Sequence, residues 1–143
     1  MAHVNPTDDE LRAILSTNRT IAMVGASSKR DRASYGVMKV LMAAGFQVIP
    51  VTPREERILG RKAYPSLKDI PERVDIVDVF RRAEETPAIA DEAARIGAKV
   101  LWLQPGIVSE EAATRAHDGG LAVIMDLCIG KTTLRFGIKR PPQ

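Results

Sequence analysis

Cysteine and aromatic residues are scarce in this sequence. Cys128 is the only cysteine among 143 residues, which excludes an internal disulfide framework and a multi-cysteine metal site within one chain. Phe, Trp and Tyr together make up 4% of the sequence, so few side chains are present on which the bases of single-stranded nucleic acid stack. We therefore expect a protein of a reducing compartment that does not bind single-stranded nucleic acid.

Long apolar runs and a strong excess of one charge are also absent. No apolar run approaches the roughly 18 residues of a membrane-spanning helix, and the polar segment Met1–Pro6 does not resemble a signal peptide. The 21 basic and 18 acidic residues leave a net charge of +3. The small basic clusters at Lys29–Arg32, Arg81–Arg82 and Lys139–Arg140 suit local anions better than a polyanion. We expect a cytoplasmic protein with a small anionic ligand and with neither membrane nor nucleic-acid partners.

Apolar segments of strand length alternate with helical patterns along the chain. Thr7 and Glu10 form a capping box that begins a leading helix at 7–17. Five strands are predicted at 20–24, 46–51, 74–80, 99–103 and 121–125, with helices ending at Gly45, Gly97 and Gly119.

This alternation predicts one domain with an α/β, Rossmann-like three-layer fold. Near-continuous apolar strands indicate a five-stranded parallel sheet with helices on both faces, for which we expect the strand order 3-2-1-4-5. Residues 54–73 read as an irregular crossover, and residues 131–143 as a loosely attached tail.

The turn after the first strand is the first candidate ligand site, because ligands of such sheets bind outside the carboxyl ends of the strands. Gly25 permits a close approach to a phosphate, Ser27 offers a hydroxyl, and the following helix offers free amide donors. The candidate residues in this segment are Gly25, Ala26, Ser27, Ser28, Arg30, Arg32 and Tyr35. Because the full Gly-x-Gly-x-x-Gly pattern is missing, the turn alone fits a tight strand-to-helix connection with solvated charges equally well.

The end of the second strand lacks the acidic residue that an NAD site generally requires. The segment reads Val51-Thr52-Pro53-Arg54, and an arginine suits a phosphorylated ribose, either the 2′-phosphate of NADP or the 3′-phosphate of coenzyme A. Alternatively, Arg54 begins the charged run 54–57 and points into water.

The third and fourth strands end in further candidates. Phe80 is placed to pack against an adenine, and Arg81 and Arg82 to contact a phosphate. After the fourth strand, the segment Gln104–Ile107 offers an amide at Gln104, close backbone approach at Gly106 and an apolar contact at Ile107. The alternative for the third strand is a core phenylalanine followed by a solvated loop.

Several of these segments occur together in the same order as in a known family. They are Val24-Gly25-Ala26-Ser27, Val48–Pro53, Tyr64–Leu67, Val74–Arg81 and Trp102–Ile107. Together they resemble the small stand-alone CoA-binding domain family, which is similar to the CoA-binding domain of the succinyl-CoA synthetase alpha subunit. The resemblance implies a pyrophosphate on the first loop and adenosine near the end of the second strand. From the residues themselves we expect Arg54 or a neighbouring base to hold the 3′-phosphate, and Pro53 and Phe80 to flank the adenine.

The last sequence block of that family is only partly present in this chain. Asp126-Leu127-Cys128 is present, but Ile129–Thr133 replaces the usual Glu-His pair. The Gly130-Lys131-Thr132 run imitates the end of a P-loop, yet Met125 stands where the first glycine belongs. We expect Cys128 to be a buried, inert thiol without an activating histidine.

The sequence therefore favours a module that binds coenzyme A or an acyl-CoA without an evident catalytic constellation. Two alternatives stay open, an NADP-binding oxidoreductase-like module and a ligand-free regulatory or interaction subunit. A homodimer or an unidentified protein partner also stays open.

Overall fold

The computed structural model describes residues 2–140. Its helices are α1 (Asp8–Thr17), α2 (Ala33–Ala43), α3 (Thr86–Arg95), α4 (Glu110–Asp118) and α5 (Ile129–Arg135). Its strands are β1 (Thr20–Val24), β2 (Gln47–Val51), β3 (Arg57–Ile58), β4 (Arg61–Lys62), β5 (Ile76–Val79), β6 (Val100–Leu103) and β7 (Ala122–Ile124). Short 3-10 turns occur at Leu67–Asp69 and Ala83–Glu85. None of the helices in this part of the chain is long and apolar enough to span a membrane.

The main sheet confirms the predicted α/β, Rossmann-like fold. Five parallel strands pair in the order β2-β1-β5-β6-β7, and β3 and β4 form a separate antiparallel hairpin. Successive strand residues point to opposite faces, so Met23 joins the core beneath α1, α2 and α5, while Ala22 joins the core beneath α3 and α4. Both faces of the sheet are therefore covered by helices.

The predicted strand order 3-2-1-4-5 is wrong; in chain order the sheet strands run 2-1-3-4-5. The outer edge of β2 is already occupied by Tyr64, whose N–H donates to the Pro50 carbonyl at 3.0 Å and whose carbonyl accepts from the Thr52 N–H at 2.9 Å. Pro50 has no N–H to offer at that edge, which marks β2 as an edge strand. The third sheet strand, β5, consequently pairs with the other side of β1.

The end of the other edge of the sheet is covered by a side chain. At the end of β7, the Asn5 carboxamide donates from Nδ2 to the Met125 carbonyl at 2.8 Å and accepts from the Met125 N–H at 2.9 Å. The amide of Asn5 thus takes the place that the backbone of a neighbouring strand would take. The leading segment is anchored again at Thr7 and Glu10, where the predicted capping box begins α1.

The prediction of a loose tail from residue 131 is wrong for the residues up to 140. These residues include most of α5, in which Thr132 and Thr133 are buried. At Gly130 an added Cβ would lie 3.4 Å from the Val37 side chain, so α5 packs closely on α2. The Ile138 N–H then donates to the Thr133 carbonyl at 3.0 Å. Residues 141–143 of the predicted tail lie outside the described residues.

Candidate ligand site at the carboxyl edge of the sheet

A cavity of about 750 Å³ opens beyond the carboxyl ends of β5 and β6. Its wall comes from the start of α2, the loops after β5 and β6, and the start of α5. The lining residues are Ala33, Val37, Phe80, Arg81, Arg82, Ala83, Glu84, Gln104, Pro105, Gly106, Ile107, Cys128 and Lys131. The cavity is therefore largely apolar, with charged side chains from the loop after β5 and from α5.

The structure brings only part of the predicted site into this cavity. Phe80–Arg82, Gln104, Gly106 and Ile107 line it. The other predicted residues lie outside its lining and are Gly25, Ala26, Ser27, Ser28, Arg30, Arg32, Tyr35, Val51, Thr52, Pro53 and Arg54. The sequence missed Ala33, Val37 and Lys131, which reach the cavity from helices, because no strand-end rule indicates which helix residues face a cavity.

Gly25 joins the two groups of residues. It has a φ of +87°, and a Cβ added there would lie 2.5 Å from the Phe80 carbonyl oxygen. Its N–H donates to the Val51 carbonyl at 3.0 Å. Because β5 lies beside β1, a glycine is required at this turn by the chain's own backbone, independently of a ligand.

The rest of the first loop is already engaged by a carboxylate. The Ser28 N–H donates to Glu55 Oε2 at 2.9 Å, and the Lys29 N–H donates to the Ser27 hydroxyl at 3.1 Å. Hydrogen bonds from Ser28 lower the pKa of Glu55, and the charge of Lys29 adds to this effect. An internal anion thus occupies an amide donor where the sequence predicts a phosphate.

The remaining residues of this loop have varied environments. Ala26 is buried in the core beneath α2, whereas Arg30 and Arg32 are exposed. Tyr35 lies on the first turn of α2, and the Lys39 ammonium is 5.9 Å from the centre of its ring. Arg30 and Arg32, together with the exposed Lys29, are therefore the solvent-facing cations of this loop.

The end of β2 lies next to the first loop. Val51 and Thr52 are buried, and the Thr52 hydroxyl accepts from the Arg54 N–H at 3.2 Å. This bond forms a turn that carries Pro53 and Arg54 into solvent, where both are exposed. The Arg54 guanidinium is accordingly available at the rim of the first loop.

Arg81 and Arg82 lie at the rim of the cavity beside Glu85. Arg81 Nη2 is 2.6 Å from Glu85 Oε1, and Arg82 Nε is 3.5 Å from Glu85 Oε2. The hydrogen bond from Arg81 lowers the pKa of Glu85, and Arg82 contributes further. Phe80 packs against the core beneath α2. The two arginines therefore already share an acidic partner.

Gln104 and Asp78 form a polar pair at the base of the cavity. Gln104 is 2% exposed and Asp78 is fully buried, and Gln104 Nε2 donates to Asp78 Oδ1. Burial raises the pKa of Asp78 well above its ordinary value, although the hydrogen bond from Gln104 opposes the shift. An aspartate between Val77 and Val79 in an apolar strand is the sequence signal that marks this position.

The Asp126–Cys128 block supports the cavity from β7. Asp126, which has a φ of +60°, accepts from the Gly106 N–H at 2.7 Å and so holds the loop after β6. Cys128 is half-buried and lines the cavity, which corrects the expectation of a buried thiol. Its Sγ accepts from the Lys131 N–H at 3.4 Å.

Fold and cavity together define an α/β protein whose parallel Rossmann-like sheet carries a ligand cavity at its carboxyl edge. A family model described as "CoA binding domain" matches residues 19–133. The chain belongs to this CoA-binding domain family, which confirms the resemblance seen in the sequence. The family supports coenzyme A as the ligand and gives no support to the NADP alternative.

Two curated relatives show the range of lengths in which such a domain occurs. The uncharacterized protein YneT of Bacillus subtilis is 46% identical over 125 residues, with 87% of this chain and 93% of YneT covered. The alpha subunit of acetate–CoA ligase [ADP-forming] II from Pyrococcus furiosus is 32% identical over 123 residues, with 78% of this chain and 27% of that subunit covered. The chain thus spans nearly all of the first and about a quarter of the second.

Solved structures show the same range. A hypothetical protein from Pyrococcus horikoshii superimposes with a TM-score of 0.88 at 38% identity, covering 94% of this chain and 98% of that one. The apo dinucleotide-forming acetyl-coenzyme A synthetase 1 of Ca. Korarchaeum cryptofilum superimposes with a TM-score of 0.68 at 25% identity, covering 79% of this chain and 27% of that one. The fold therefore occurs both as a chain of this length and as part of a longer protein.

Proposed function

We propose that this protein binds coenzyme A or an acyl-CoA across the carboxyl edge of its sheet. The observation that carries the proposal is the position of the cavity. In a member of a CoA-binding family, the cavity lies beside the boundary between β1 and β5, where the order in which successive strands are added to the sheet reverses. Ligands of open parallel sheets bind at such a point.

The two halves of the candidate site match the two halves of coenzyme A. The first loop and the end of β2 offer amide donors, hydroxyls and exposed cations, which suit the nucleotide and its phosphates. The largely apolar cavity beyond β5 and β6 suits the pantetheine arm, which is mostly aliphatic and carries amide groups. The ligand would cross the reversal point at Gly25.

Within this arrangement we assign contacts to the pyrophosphate, the 3′-phosphate and the adenine of the ligand. The pyrophosphate lies against the Gly25 turn on the amides of Ala26–Ser28, because the Gly25 N–H is already bonded to Val51. The Glu55 carboxylate leaves the Ser28 amide as the pyrophosphate binds. Arg54 holds the 3′-phosphate, with Arg30 and Arg32 close by on the first loop. Pro53 lies beside the adenine, whereas Phe80, which lines the cavity, contacts the pantetheine arm in place of the predicted adenine contact. Arg81 contributes a phosphate contact after release from Glu85.

We propose a binding role rather than catalysis for the same cavity. Among residues 2–140, the Cys128 thiol has a backbone amide as its hydrogen-bond partner, and no histidine or carboxylate forms a hydrogen bond with it. A nucleophile without a positioned base lacks the usual means of activation. We also propose a cytoplasmic location, since a protein that meets coenzyme A and carries one half-buried thiol suits a reducing compartment.

Isothermal titration calorimetry of the purified full chain tests the proposal. We expect saturable binding of CoA and acetyl-CoA, and no binding of NADPH at the same concentrations. The absence of heat and of a thermal shift with millimolar CoA, for protein that melts cooperatively, would refute the proposed function.

A further inference from the structure

Asp78 and Gln104 contain two buried oxygen atoms that the protein itself leaves without partners. Asp78 Oδ2 and Gln104 Oε1 have no hydrogen-bond partner among the described residues. Buried polar atoms are normally paired, because each unpaired atom costs a desolvation penalty. A polar pair of this kind next to a cavity indicates that part of its bonding capacity is kept for another molecule.

The surroundings of Asp78 offer no other partner. Met23 and Trp102 flank it on the neighbouring strands, and Trp102 Nε1 donates instead to the Leu127 carbonyl at 2.8 Å. The charged side chains of the cavity wall are Arg81, Arg82, Glu84 and Lys131. None of these four contributes to the pKa shift of Asp78, which arises from burial and from Gln104 alone.

A neutral carboxyl group fits this position better than an ionised one. Removal from water favours the uncharged form of an acid, so burial raises the pKa of Asp78. The neutral acid still accepts the N–H of Gln104 through Oδ1. One amide hydrogen of Gln104 is thereby bonded to Asp78, and this hydrogen bond fixes the orientation of the Gln104 carboxamide.

We propose that Asp78 is a positioning residue for Gln104, whose free carboxamide oxygen accepts a hydrogen bond from an N–H or O–H group in the pantetheine arm of the ligand. This inference rests on the proposed binding of CoA. The arm carries amide N–H groups and a hydroxyl, and the rest of the cavity wall around Gln104 is mainly apolar. Gln104 then fixes the depth of the arm in the cavity.

Replacing Gln104 tests the contact with the pantetheine arm separately from the contacts with the nucleotide. The test compares Gln104→Leu with the unchanged chain, using CoA and adenosine 3′,5′-bisphosphate, which contains a nucleotide portion of CoA but no pantetheine. We expect Gln104→Leu to weaken CoA binding about tenfold, the value of one well-formed hydrogen bond, and to leave the affinity for the bisphosphate unchanged. Equal affinity of both proteins for CoA, or equal losses for both ligands, would overturn the inference.

Replacing Asp78 tests the positioning role. Asp78→Asn keeps an acceptor for the Gln104 N–H and should bind CoA as the unchanged chain does, whereas Asp78→Val should lose about as much CoA affinity as Gln104→Leu. An Asp78→Val variant that binds CoA as tightly as the unchanged chain would contradict the positioning role. If Asp78→Val does not fold, the Gln104→Leu variant tests the contact with the ligand. Failure of the unchanged chain to bind CoA would instead refute the proposed function itself.

Discussion

Gly25 follows β1 and lies against the backbone of Phe80, which follows β5. Replacement by alanine places a Cβ 2.5 Å from the Phe80 carbonyl oxygen at a φ of +87°. We expect Gly25→Ala to lower the free energy of unfolding by about 2 kcal/mol or more, since both steric overlap and backbone strain contribute. Urea denaturation followed by circular dichroism measures this loss.

Gly60 provides the matched control for Gly25. It also has a positive φ, of +76°, but an added Cβ would meet no atom within 4 Å. Gly60→Ala should therefore cost about 1 kcal/mol from backbone strain alone. Equal losses in the two variants would show that the approach to Phe80 is not what requires a glycine at position 25.

Arg54 allows the proposed 3′-phosphate contact to be tested directly. Arg54→Gln should weaken the binding of CoA about tenfold and leave the binding of dephospho-CoA, which lacks that phosphate, almost unchanged. Arg95→Gln, an exposed arginine at the end of α3, is the control and should change neither affinity. Loss of both ligands to the same extent in Arg54→Gln would assign the arginine a different contact.

Asp78 makes the stability of the protein depend on pH. In the unfolded chain this carboxyl ionises at its ordinary pKa, whereas burial raises its pKa in the folded protein. As the pH rises through the interval between these values, the unfolded chain loses a proton that the folded chain keeps, so the free energy of unfolding falls. Asp78→Asn removes this dependence.

We therefore expect the melting temperature of Asp78→Asn to exceed that of the unchanged chain increasingly from about pH 4 upward. Each 1 kcal/mol of difference corresponds to about 3 °C in a protein of this size. Differential scanning calorimetry at several pH values measures the difference. A constant offset between the two proteins across that range would show that Asp78 is ionised in the folded state.

At the scale of elements, the loops after β1 and β5 each present donors to an internal carboxylate. Glu55 accepts from Ser28, and Glu85 accepts from Arg81. Both carboxylates would compete with incoming phosphates. We expect Glu55→Gln and Glu85→Gln each to tighten CoA binding about threefold to tenfold at low salt, with a smaller gain at high salt because screening weakens the repulsion that is removed.

Glu56 serves as the control for these two variants. It is exposed next to Glu55 in the sequence, and Glu56→Gln changes the net charge by the same amount. In calorimetric titrations of the three variants with CoA, Glu56→Gln should bind CoA with nearly the affinity of the unchanged chain. A similar gain in all three would mean that net charge, and not the engaged donors, controls binding.

The elements themselves could be predicted from the sequence because their signals are local. The capping box predicted α1, Gly119 predicted the end of α4, and the five strands of the main sheet lie where short apolar runs predicted them. Strand order depends on long-range pairing, and here only Pro50 carried a usable signal. The packing of α5 depends on Gly130 and Val37, which lie far apart in the sequence.

In the candidate site, too, local features could be predicted from the sequence and long-range contacts could not. The rule that ligands bind at strand ends selected the loops after β5 and β6, which do line the cavity. The pairing of Asp78 with Gln104 could not be predicted, because it requires the register between β5 and β6 and the depth of burial. The engagement of Ser28 by Glu55 likewise depends on the path of a loop.

At the scale of the whole molecule, the matched relatives differ in how much of their length corresponds to this chain. YneT is matched over 93% of its length, and the Pyrococcus furiosus ligase subunit over 27%. We expect the isolated chain to bind CoA without a partner. At a CoA concentration of 100 times the dissociation constant, linkage should raise the free energy of unfolding by about 2.7 kcal/mol.

A thermal-shift titration of the purified chain, monitored alongside its mass by light scattering, tests this expectation. The melting temperature should rise steadily with CoA while the mass stays constant. A rise that appears only after another protein is added would place the complete binding site in a complex and would favour the interaction-subunit alternative.

The covered parts of the two sheet edges limit how another chain can associate with this protein. An open strand edge is a template on which another chain can add a strand, and exposed edges lead to aggregation. Here Tyr64 occupies one edge beside the donor-free Pro50, and the Asn5 side chain occupies the end of the other. Strand addition is therefore blocked at Pro50–Thr52 and at Met125, and we expect a second copy of the chain, or a partner, to approach these places through helices and loops.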